Sequence, residues 1–123
     1  MALLVLIVDD NEQNAKLARD VLEAAGMSTV TAATAADGLR LAGRHQPDVV
    51  LMDLRLPDLD GLEAARQLRA GETTAHIPVV ALSATDAEDA EDWVRGGRFS
   101  GYIAKPIDVR EFAAQVRRHC LPC

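Results

Sequence analysis

The chain has 123 residues, 49% of them hydrophobic but only 3% aromatic, with a formal charge of −6. This length and apolar content suit one buried core, so a single domain over residues 1–123 is expected and a disordered chain is excluded. The acidic balance argues against direct nucleic-acid binding, which needs clustered Lys and Arg to neutralise phosphates.

In chain order, the first segment is the apolar run 3–8, too short for a helix and read as strand β1. Residues 14–25 follow with Leu17, Ala18, Val21, Leu22 and Ala25 on one helical stripe, ending at Gly26, a natural residue just past a helix end; this is α1. Residues 28–32 are rich in β-branched side chains but more polar, which places β2 at a sheet edge. Leu39 and Ala42 define α2 over 35–43, and the run 49–52 is β3. Ala65 and Leu68 define α3 over 62–70, the run 77–82 is β4, and 86–94 is α4. Residues 102–104 form β5, and 108–120 form α5 with Asp108 as its N-cap.

Strict βα alternation, with strands apolar throughout, predicts a parallel sheet covered on both faces. With right-handed crossovers this is a three-layer doubly wound (βα)5 flavodoxin-like α/β domain, strand order 2-1-3-4-5. The final helix ends almost where the chain does, leaving no room for an output domain, and the natural-looking start favours a stand-alone protein over an excised piece. No apolar run nears the ~18 residues that cross a bilayer, and residues 1–8 lack a basic leader, so no membrane insertion and a cytoplasmic location are expected. The two cysteines, Cys120 and Cys123, follow a helix rather than opening one, which disfavours a redox pair and suggests a frayed tail.

In open α/β sheets the site lies beyond the carboxyl ends of the strands. There the sequence places Asp9 and Asp10 after β1, Asp53 after β3, Ser83 after β4, and Lys105-Pro106 after β5. Three carboxylates brought together repel, by about 4 kcal/mol per pair at 4 Å and an effective dielectric of 20, and a divalent cation relieves this. Oxygen-only ligands suit Mg²⁺, with Mn²⁺ as an alternative ion, and no His or Cys cluster invites zinc. A cation, a lysine and a hydroxyl together make a phosphoryl-handling set. Ser83 has no base beside it, whereas a carboxylate needs none at pH 7, so Asp53 is the central candidate nucleophile.

Four segments then carry a resemblance: V-D-D-N at 8–11, L-M-D-L-R-L-P-D-L-D-G at 51–61, A-L-S-A at 81–84 and Y-I-A-K-P at 102–106. Together, in this order, the chain resembles the receiver domain of bacterial two-component response regulators. N-E-Q-N-A-K-L and A-H-I-P-V-V-A-L are most similar to single-domain regulators of cell division and polarity, and also to receivers of hybrid kinases. The resemblance implies a phosphorelay switch in which Asp53 accepts a phosphoryl group from a histidine kinase or histidine phosphotransfer protein. It implies Mg²⁺ held by Asp10, Asp53 and the backbone carbonyl of Arg55, with Asp9 assisting through water. Lys105 would pair with Asp53 and then with the phosphoryl group; Ser83 would swing towards it past the small Ala84; Tyr102 would follow as a rotamer switch; Pro106 would follow a cis bond. The domain would catalyse its own phosphorylation and dephosphorylation without being an enzyme on other substrates. It would alter the binding of a downstream protein through the α4–β5–α5 face, as a monomer or a phosphorylation-dependent dimer. Two departures stand out: the loop 96–101 is one residue longer than is usual, and Arg55 and Thr85 flank the acceptor.

Simpler readings exist for each residue. Asp9 and Asp10 could merely cap α1, Ser83 could cap the next helix, and Tyr102 could be a core aromatic. Pro57, Asp60 and Gly61 read as turn residues framing the acceptor. His45, His76 and His119 are scattered and read as surface or loop positions, and Asp86, Glu88, Asp89, Glu91 and Asp92 as a solvated face open to a basic partner. Trp93 and Phe99 are either interface anchors or buried against the sheet. One rival function is a phosphohydrolase of the haloacid dehalogenase type, disfavoured because Arg55 stands where that family has a second acid. The other is a phosphate-independent binding module.

Overall fold

The computed structural model describes residues 3–54, 58, 61–83, 99–104 and 107–119. Its five parallel strands are β1 (Leu4–Val8), β2 (Ser28–Ala32), β3 (Val49–Asp53), β4 (Val79–Ser83) and β5 (Gly101–Ala104), ordered β2-β1-β3-β4-β5. Among the described residues the helices are α1 (Glu12–Ala24), α2 (Ala35–His45), α3 (Gly61–Ala70) and α5 (Phe112–His119). The α4 expected at 86–94 lies outside them, as do Trp93, the acidic run and both cysteines.

Alternation along each strand builds two cores, because successive side chains leave opposite faces of a sheet. Leu6, Val8, Val50, Met52, Val79 and Ala81 face α2 and α3. Val5, Ile7, Val49, Leu51, Val80 and Leu82 face α1 and α5. This is the doubly wound, three-layer arrangement, and β2 is its half-exposed edge.

The helix ends follow local chemistry. Asn11 caps α1, its side chain accepting from the Asn14 N–H at 3.0 Å. At the other end Gly26 adopts φ 91°, its N–H reaching the Glu23 carbonyl and that of Met27 the Leu22 carbonyl, which closes a Schellman motif. Leu22 and Met27 are buried in the same core. The expected stripe errs at Leu17, which is 41% exposed, while Ala18 and Leu22 do the packing.

Several boundaries differ from expectation, three of them for a clear local reason. α2 runs past Gly43 to His45 and stops at Gln46, whose left-handed backbone (φ 50°) and amide to the Gly43 carbonyl close the last turn. β4 begins at Val79, not residue 77, because the Ile77 N–H is taken by the Thr74 carbonyl and Pro78 has no N–H to pair. α5 begins at Phe112; Asp108 instead makes a turn, accepting the Arg110 N–H on its side chain and the Phe112 N–H on its carbonyl.

The lengthened loop is partly described. Phe99 is 1% exposed within the α2/α3 core, so it is a core residue and not a surface anchor. The Ser100 N–H bonds the Val79 carbonyl, and Gly101 lies against the His119 ring, where a Cβ would collide. His119 is therefore half-buried rather than a plain surface residue, and burial, then the Arg118 charge, lowers its imidazole pKa below the ordinary value.

Gly38 is a second close approach. A Cβ there would sit 2.8 Å from Cγ2 of Val8, a fully buried β1 side chain. Alanine gains about 1 kcal/mol of helix propensity but overpacking costs about 1–3 kcal/mol. Gly38→Ala is thus expected to be destabilised by about 1 kcal/mol in urea unfolding, the reverse of the usual helical Gly→Ala outcome.

Candidate functional site

Asp9 follows β1 immediately and Asp53 is the last residue of β3, and these two strands are neighbours in the sheet. Strand order reverses here, since β2 lies on one side of β1 and β3 on the other. Carboxylate oxygens of Asp9, Asp10 and Asp53 all lie within 4.8 Å of one another. The acids from two separate segments therefore do meet, as a shared cation requires. Asp9 and Asp53 are 4% and 7% exposed, and Asp10 faces solvent.

Neither Asp9 nor Asp10 is the N-cap of α1. The N-cap of α1 is Asn11, and the Asp9 carboxylate instead accepts the Asn11 N–H at 2.9 Å, one residue before the helix. The Asp9 N–H donates to the Ala32 carbonyl at the end of β2, fixing the acid to the sheet. The donor set, all oxygen and partly buried beside one exposed carboxylate, fits a hard divalent cation that keeps some of its water.

Ser83 closes β4, paired in register with Ala104, the residue before Lys105; Asp53 pairs with Leu82. The end of β4, which carries Ser83, is thus next to the acid cluster, and the end of β5, which precedes Lys105, lies one strand further on. The Ser83 side chain, Ala84, Thr85, Lys105, Pro106 and Arg55 lie outside the described residues, as do Pro57 and Asp60. Tyr102 is half-buried and packs against the α2/α3 core, of which Phe99 is a buried member.

Sequence reasoning passed over Asp58. Its two oxygens accept the N–H groups of Ala35 and Ala36 at 2.9 and 3.0 Å, across 23 and 22 residues. Together with Thr34, which accepts the Asp37 N–H, it satisfies the first turn of α2. Nothing local in the sequence announces a cap supplied from another loop.

A sheet of this order with an acid cluster at its switch point defines a receiver-like switch. The response regulator receiver domain family matches residues 5–117, and the chain belongs to that family. It is 41% identical over 115 residues, 94% of each chain, to the polar-differentiation response regulator DivK of Brucella ovis. Among solved structures it is similar to the receiver domain of the sensor histidine kinase PA1611 of Pseudomonas aeruginosa, with 30% identity and a TM-score of 0.86. That likeness covers 97% of this chain and 98% of the other, and that structure has a magnesium ion coordinated in its active-site cleft. The chemotaxis protein CheY4 of Vibrio cholerae, 22% identical, shares the fold with a TM-score of 0.89 over 97% and 99% of the two chains. No helix among the described residues is long and apolar enough to cross a membrane.

Proposed function

We propose that this protein, a single receiver domain over its 123 residues, is a phosphorylation switch whose acceptor is Asp53. The observation that carries the reading is the meeting of Asp9, Asp10 and Asp53 at the carboxyl ends of β1 and β3 in a member of the receiver family. Asp10, Asp53 and the Arg55 backbone carbonyl are the residues to hold Mg²⁺, or Mn²⁺ in its place, with Asp9 acting through water. When bound, the ion offsets the negative charge of the acids and of the incoming phosphoryl oxygens.

The chain's own residues do the rest. Asp53 is buried, so little water competes for its carboxylate oxygens. One of those oxygens attacks the phosphorus of a phosphohistidine on a histidine kinase or phosphotransfer protein. The P–O bond forms as the P–N bond breaks, and the leaving imidazole nitrogen takes the electron pair and then a proton. Lys105 supplies the balancing ammonium, so the domain catalyses its own modification. Hydrolysis of the acyl phosphate returns it to the resting state.

Phosphorylation adds about −1.5 to −2 charge, which draws Ser83 and Lys105 inward, with Tyr102 following. The β5 and α5 side of the molecule is then biased towards a form that binds a downstream protein differently. A cytoplasmic location and a protein rather than nucleic-acid target go with this role.

Incubation with acetyl phosphate is the direct test. Intact-mass spectrometry is expected to show one added phosphoryl group with Mg²⁺ and none with excess chelator. Equal labelling in both would remove the cation from the reading, and no labelling under either condition would favour a phosphate-independent binding module.

A further inference from the structure

We infer that Asp58 is a positioning residue for the acceptor site: its carboxylate latches the β3–α3 connection onto the first turn of α2 and thereby sets the geometry of the acid cluster. The inference rests on the reading of Asp53 and Mg²⁺ given above.

A hydrogen-bonded circuit carries the argument. From the acid cluster, the Asp9 N–H reaches the Ala32 carbonyl at the end of β2. Two residues on, α2 opens with Thr34 as its cap, and the amides of Ala35 and Ala36 both point to Asp58. Asp58 lies five positions after Asp53 in the chain, which returns the path to the cluster. Two of the three acids are thus joined through α2 as well as through the sheet.

The proposed backbone ligand, the carbonyl of Arg55, falls between Leu54 and Asp58 in sequence. Of the described residues on either side of it, Asp53 is held by β3 and Asp58 by the latch. A carboxylate suits this task better than a neutral side chain, because each oxygen serves one amide and the negative charge complements the helix N-terminus. Ala35 is itself fully buried and its bond to the exposed Asp58 is partly shielded from water, while that of Ala36 is open to solvent, so the Ala35 amide contributes most to keeping the latch closed. Groups that orient a metal site without touching the ion commonly alter affinity when removed.

The test is Mg²⁺ titration followed by amide NMR on the full chain, comparing the unaltered protein with Asp58→Asn, Asp58→Ala and, as a site control, Asp53→Asn. Asp58→Ala is expected to bind Mg²⁺ roughly tenfold more weakly. Asp58→Asn, which keeps one acceptor oxygen, should fall between the two. Both variants should lose the low-field position of one or both of the Ala35 and Ala36 amides while the strand resonances keep their pattern. If Asp58→Ala proves too unstable to study, the Asn variant alone must still show the weakened affinity.

Unchanged Mg²⁺ affinity despite shifted Ala35 and Ala36 signals would make Asp58 a helix cap only and overturn the inference. Equal weakening in the Asn and Ala variants would overturn it too, since that is the signature of lost charge rather than lost geometry. Failure of the unaltered protein to bind Mg²⁺ would sink the acceptor-site reading, and the inference with it. Normal binding with no effect of Asp58→Ala sinks the inference alone.

Discussion

Asp53→Asn is expected to reduce phosphoryl incorporation from acetyl phosphate by on the order of 10³-fold or more, the scale seen when an enzyme loses its nucleophile. The carboxamide has the volume and planarity of the carboxylate it replaces, so β3 and the cluster keep their packing. What changes is chemistry. The amide oxygen is a poor nucleophile at pH 7, and the site loses one of the three negative charges that lie within 4.8 Å of one another. Asp10, the exposed member, is a weak substitute because water screens and solvates it. Folding is not expected to suffer, since removing one of several like charges relieves repulsion. Intact-mass measurement alongside urea unfolding in chelator checks both statements; an Asp53→Asn variant that folds and still takes up the phosphoryl mass would move the acceptor elsewhere.

Phe112→Ala is expected to cost about 3–5 kcal/mol, with the transition temperature falling on the order of 10 °C or more. Phe112 opens α5, is fully buried, and shares a core with Val80, Leu82 and Ile103 of the sheet and with Ala18 and Leu22 of α1. Truncation leaves a void that three rigid layers cannot close by local movement. Domains have only about 5–15 kcal/mol to lose, so this single change takes a large share. Val109→Ala, at a residue 56% exposed just before the same helix, should move the urea midpoint little. Comparable losses in the two variants would mean that α5 is not held by the core described above.

Much of this was readable from residue order. Runs such as 49–52 are apolar without alternation because both faces of β3 are covered, and such a pattern has few other uses. The polar β2 announced an edge for the complementary reason. Asp9, Asp10 and Asp53 could be chosen because parallel strands of a doubly wound sheet deliver their carboxyl ends to one rim. Errors arose where a residue's role depends on what packs beside it. Leu17 has the right spacing for the α1 stripe but lies at its margin, with no layer above to cover it. Gly43 is a plausible helix end in isolation, yet α2 passes it and ends at Gln46, which takes the left-handed conformation. Phe99 could have been an anchor or a core residue until the α2/α3 core closed over it.

By itself, then, the sequence determined the class of fold, the order of its elements and the identity of the acids at the strand ends, because those follow from side-chain period and from the direction of the chain. Only the tertiary structure decided that the carboxylates approach closely enough to share one ion, that Asn11 and not an aspartate caps α1, and that Asp58 holds α2 from a distant loop. These are distances between segments far apart in the chain, and no local pattern of residues encodes a distance until the sheet has brought its ends together.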